Sequence, residues 1–252
     1  MRALLNRVFL AAVVLVAVPG ACVACGGEGE AGESESTEAA TDTHGDASAA
    51  ADEAPPTCML DVFRRLEVGD WVLTRWTNKE AHTLLVAAKT DEMITIEEIV
   101  EDRGFRKAWT QLDVSLADGA LLALRERLAD GTIEAREPAA EAQRGTSDLL
   151  LEPFRPDGEE RIRLKRIEVH AAGREAPEIV RGQFFCRRYK ITVEKGRYAH
   201  VWFSRVKLPD YPVKIHYYEE NLTVALEAFG TGRESVFAKP SPPRRGGNTT
   251  AN

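Results

Sequence analysis

Two cysteines stand three residues apart in the stretch GACVACGGEGE, Gly20 to Glu30. Such a pair does redox chemistry within a βαβ unit, or supplies half of a zinc site. Neither setting surrounds Cys22 and Cys25. No strand–helix pattern flanks them, and no second ligand pair follows nearby. Elsewhere the chemically capable residues are scattered. His82, His170, His200 and His216 lie in the body of the chain. His200 and His216 flank one turn and face each other loosely, but a metal would need a further ligand that the sequence does not name. Glu97-Glu98 and Glu219-Glu220 are adjacent carboxylates, and adjacent residues of a strand point to opposite faces, so neither pair forms a dyad by itself. The motifs GxSxG, HExxH and GxxxxGK[ST] are absent,. No catalytic residue, metal or cofactor is expected.

The segment that leads to the cysteines explains them. Arg2 and Arg7 open the chain, and Val8 to Val18 are eleven apolar residues. A spanning helix needs about 20 residues, whereas the core of a secretory signal peptide needs about 7–15. Gly20, Ala21 and Ala24 supply small residues before the cut. This stretch resembles the lipobox of bacterial exported lipoproteins, in which small residues precede a cysteine that becomes lipidated and N-terminal. The favoured lipidation site is Cys25, with Cys22 as the alternative. Cys22 has Pro19 three positions before it, Cys25 has Cys22 there, and Gly26-Gly27 forms a flexible exit. The resemblance implies removal of the signal, multi-chain acylation including palmitate, and residence on the periplasmic face of the outer membrane or on the cell surface. Ordinary secretory cleavage without lipid is the other reading.

Charge divides the rest. Residues 1–25 carry two arginines and no acid, residues 26–57 carry nine acids and no lysine or arginine, and residues 58–252 carry 31 of each sign. The net charge of −7 therefore belongs to the segment after the cysteines. The balanced remainder argues against a polyanion-binding surface, so nucleic acid is not an expected partner. Residues 26–57 contain no aromatic and no branched aliphatic residue, so they cannot bury enough apolar area to offset the entropy of ordering. They read as a disordered acidic tether with a reach on the order of 30 Å. Residues 239–252 read as a second disordered tail, leaving 58–238 as one domain.

Within that domain a short helix over Met59–Leu66 precedes β-rich runs at 71–77, 82–88, 93–101 and 107–114. Residues 117–131 read as a helix through Leu121, Leu122, Leu124 and Leu128, and Thr132–Asp148 as a polar connection. Strands resume at 161–171, with a bulge between Leu164 and Ile167, then at 183–194, 197–206, 213–219 and 222–228. The expected fold class is α+β, mainly antiparallel β: a curved sheet or half-barrel packed with one or two helices. A turn at Leu208–Pro212 would set Trp202 opposite His216. Val201, Phe203, Val213, Ile215 and Tyr217 would then share a core face. His200, Trp202, Ser204, Lys214, His216 and Tyr218 would share the other, which makes His200, Trp202, His216 and Tyr218 the candidate ligand face or groove.

The run VWFS…LPDYPVKI…LTVALEAFG resembles the end of lipoprotein-carrier-like (LolA/LolB-like) β domains, in which a curved antiparallel sheet wraps one or more helices around an apolar groove. The resemblance implies a fold and assigns no catalytic residue. Cys58 and Cys186 form an even pair in an exported domain, so a disulfide between them is expected; a buried free Cys186 is the competing reading. The functional expectation is an envelope-anchored, non-enzymatic binding or scaffolding module. Its expected partners are the membrane through its lipid, an apolar or lipid ligand, and an envelope protein. The alternative is a cell-envelope hydrolase with an unrecognised carboxylate or histidine site.

Overall fold

The structure is a computed structural model that describes residues 55–194, 197–205 and 211–238. The expected signal segment, the candidate lipidation residues Cys22 and Cys25, nearly all of the expected acidic tether and the expected C-terminal tail lie outside them.

Helix α1 (Met59–Arg65) begins the domain and buries Leu60, Val62 and Phe63, spaced as one helical face requires,. Cys58 at its N-cap makes no side-chain cap; Asp61 accepts hydrogen bonds from the Thr57 N–H at 2.9 Å and hydroxyl at 2.5 Å. Six strands then meander antiparallel: β1 (Trp71–Trp76), β2 (Glu80–Lys89), β3 (Met93–Asp102), β4 (Phe105–Ser115), β5 (Leu121–Arg127) and β6 (Ile133–Arg136). The first four fall where alternation and turn residues placed them.

β5 corrects the helix expected over 117–131. The β4–β5 register runs Asp113↔Ala123 and then Val114↔Leu121, so Leu122 bulges out. That bulge puts Leu121 and Leu124 on one face, three residues apart, and thus reproduces helical spacing inside a strand. Arg127 is buried on the opposite face. The polar connection expected over Thr132–Asp148 is also corrected. It holds β6 and most of helix α2 (Ala140–Leu151). The first turns of α2 are good helix formers that face solvent, and only Thr146, Leu149 and Leu150 are buried. A periodicity confined to the last turn and a half leaves little pattern to read.

β7 (Arg155–His170) and β8 (Glu178–Glu194) form the longest hairpin, with the expected irregularity between Leu164 and Ile167. β9 (Arg197–Ser204), β10 (Lys214–Tyr217) and β11 (Leu222–Gly230) follow. The sheet order is β10-β9-β8-β7-β11-β1-β2-β3-β4-β5-β6, and β10 also pairs with β11. One edge of β11 is therefore shared. Its first half pairs with β10 and its last three residues pair parallel with β7. Strands β7 to β11 close into a circuit, while β1 to β6 extend as an open, curved wing. The fold is α+β and mainly antiparallel.

Candidate functional site

The β9–β10 hairpin brings the expected ligand face together with a corrected register. His200 pairs with His216 and Trp202 with Lys214, so the strands sit two residues from the expected pairing. Side chains alternate with a period of two, so the assignment of faces survives that shift. Trp202 donates its indole N–H to Glu160 at 3.0 Å, and the His200 Nε2 lies 2.9 Å from Asp157. Both contacts link β9 to β7 across β8.

The cluster is interlocked. Tyr218 hydroxyl and His200 Nδ1 are 2.8 Å apart, His216 Nδ1 and Thr223 Oγ1 are 2.9 Å apart, and Lys214 Nζ caps the Trp202 ring at 4.5 Å. Arg188 ties Asp157 to Glu160. Burial holds His200 below the ordinary histidine range, against the attraction of Asp157 and with help from Arg188, Lys190 and His216. Burial also lowers His216, aided by Lys214. Trp202 is 3% exposed, and Tyr218 at 43% forms the rim. The face is an interlocked polar aromatic cluster rather than an apolar groove.

A different site is apolar. A cavity of about 240 Å³ lies between α1 and the sheet, lined by Phe63, Leu66, Val72, Leu84, Val86, Ile96 and Phe229, with Tyr211 in its wall. Arg65, Asp70, Trp71 and Thr231 supply its polar lining. No contiguous stretch of sequence marks it, because its walls come from a helix, three neighbouring strands and the last strand.

Glu97 and Glu98 point to opposite faces, as alternation requires, yet each is only 1% exposed. Glu98 faces the helix side, with His82 Nδ1 at 3.0 Å and the His82 ring stacked on Trp76 at 4.3 Å. Burial raises the Glu98 carboxyl above the usual range, against the hydrogen bond and charge of His82. The other ring nitrogen of His82, Nε2, is buried, makes no hydrogen bond and lies 3.7 Å from the Glu80 carboxylate, so no hydroxyl stands on it as a nucleophile would,. Glu97 lies on the far face, beneath a segment described below. Sequence reasoning missed both burials.

Cys58 and Cys186 are both free and both buried, which corrects the expected disulfide in this structure. Cys186 Sγ is directed at the Phe184 carbonyl at 3.6 Å. Burial, with Glu160 nearby, pushes its thiol up to about 11. Among the described residues no group of three or more His, Cys, Asp or Glu is arranged to hold a metal ion, and no helix is long and apolar enough to cross a membrane.

The fold is shared with a chlamydial protein. A hypothetical protein of Chlamydia trachomatis, CT021, superposes with a TM-score of 0.52 at 10% identity, over 74% of this chain and 98% of that one. MucB in complex with MucA(peri) matches at a TM-score of 0.37 and 13% identity, over 73% of this chain and 56% of that one. The Pseudomonas aeruginosa MucA/MucB complex gives 0.35 and 13%, over 70% and 56%. The chlamydial likeness establishes architecture alone. No protein-family model matches the chain, and no curated protein matches it by sequence.

Proposed function

We propose that the chain is an exported protein, lipidated at Cys25 or alternatively Cys22, whose domain acts at the cell envelope as a non-enzymatic binding module for an apolar or lipid ligand. The acidic segment 26–57 is the spacer between anchor and domain. The observation that carries this reading is the cavity under α1. Its apolar walls suit a hydrocarbon chain, and its polar lining suits a head group, which is the usual composition of a small-molecule site. A mostly apolar opening of about 240 Å³ offers hydrocarbon a surface that water wets poorly,.

The hydrolase alternative gains no support. Glu97 and Glu98 lie on opposite faces, and the second ring nitrogen of His82 faces the Glu80 carboxylate at 3.7 Å rather than a hydroxyl. The test is displacement of an environment-sensitive apolar dye by phospholipid or fatty acid. The expected result is saturable one-to-one binding that Val86→Phe abolishes while circular dichroism is retained. Dye binding unchanged in that variant would contradict the assignment to this cavity.

A further inference from the structure

The last eight described residues, 231–238, form no helix or strand and cross the outer face of the open wing. Thr231 and Arg233 donate backbone hydrogen bonds to the carbonyls of His170 and Gly69, both at 3.1 Å. Two side chains then anchor the segment. The Ser235 hydroxyl donates to Glu97 Oε2 at 2.5 Å, and Phe237, 1% exposed, meets the Trp109 ring edge-on at 5.7 Å. Arg127 donates to the backbone carbonyls of Val236 at 3.0 Å and Phe237 at 2.5 Å. The other six residues are exposed.

The receiving surface is built. Trp109 donates its indole N–H to Glu97 Oε1 at 2.6 Å, leaving Oε2 for the serine. Arg106 and Arg127 lie over the Trp109 ring at 4.2 and 4.6 Å, fixing the wall against which the phenylalanine packs,. The slot thus reads a hydroxyl with a carboxylate, two main-chain carbonyls with a guanidinium, and an aromatic ring with an indole edge. Those are the elements of sequence-selective peptide recognition, in which main-chain bonds hold the segment and pockets choose its side chains. A strap needed only for stability would not need a buried carboxylate, whose desolvation is costly unless a specific donor meets it.

We propose that this slot is a peptide-recognition site, occupied in cis by Ser235-Val236-Phe237, that takes in trans an extended partner segment with a serine or threonine two positions before an aromatic residue. The strap competes at the high effective concentration of an attached ligand. Six of its eight residues are exposed and it joins no ladder, so local opening need uncover only Ser235 and Phe237,.

The test uses the full chain carrying Ser235→Ala and Phe237→Ala, and a fluorescein-labelled peptide of the sequence Gly-Arg-Glu-Ser-Val-Phe-Ala, read by fluorescence anisotropy. The expected result is saturable micromolar binding, at least tenfold weaker to the unmodified chain. The same loss is expected when Glu97→Gln is added or when the peptide's phenylalanine becomes alanine. Absence of binding to the opened variant with its β-sheet signal intact would overturn the proposal, as would binding indifferent to the phenylalanine. Should the opened variant unfold, hydrogen exchange on the unmodified chain decides. Exchange at the Arg233 and Phe237 amides by local opening supports the proposal, and exchange only through global unfolding ends it.

Discussion

Glu97 and Glu98 are neighbours in β3, and their carboxylates are buried on opposite faces of the same sheet. One rests against His82 on the helix side, the other against Trp109 and Ser235 on the strap side. The sheet is therefore covered on both faces at this point, and each cover carries one of the two sites proposed here.

The Glu98 carboxyl titrates above its ordinary range because it is buried. The folded state then holds a proton on Glu98 that the unfolded chain has already lost. This contribution to stability is fully present below the unfolded carboxyl value of about 4.3 and is lost as pH rises through the folded value. Denaturant titrations of the native chain and Glu98→Gln from pH 4 to pH 8 should show the variant gaining relative stability as pH rises. A native chain that gains on the variant over that range would refute the assignment.

Gly230 sits where β11 meets β7 and β1. A Cβ there would lie 2.5 Å from the His170 carbonyl oxygen and 2.8 Å from Trp71 Nε1. Backbone cannot yield as a flexible side chain does, so Gly230→Ala should cost about 1–3 kcal/mol, the usual range for overpacking. A shift in the chemical denaturation midpoint at unchanged slope reports it. An unchanged midpoint would mean that the circuit opens easily at this seam.

Cys186 is buried with its thiol raised to about 11, so at pH 8 it should be almost entirely protonated and shielded,. Alkylation of Cys186, followed by peptide mapping, should track global unfolding, and mapping without reductant should recover both Cys58 and Cys186 as free thiols. Rapid labelling under native conditions, or a recovered disulfide peptide, would contradict the packing described.

The antiparallel meander was legible because alternation and turn residues mark β1 to β4 directly. The faces of the β9–β10 hairpin were legible for a subtler reason. An error of two residues in register leaves every side chain on its own face, so His200, Trp202, His216 and Tyr218 assembled despite the wrong partner for Trp202. β5 was not legible, because the bulge at Leu122 gives a strand the spacing of a helix. The cavity and the strap were hidden for a common reason. Each is made by segments far apart in the chain, as when Ser235 meets Glu97, and no local pattern encodes such a meeting.

The central claim is that the cavity under α1 holds an apolar ligand, and native mass spectrometry of the protein extracted from membranes in mild detergent addresses it most directly. The account expects a stoichiometric lipid-mass adduct that persists after any covalent N-terminal lipid is accounted for and that disappears in Val86→Phe, whose added ring occupies the cavity. A folded native chain free of any such adduct, or an adduct that Val86→Phe leaves untouched, would contradict it.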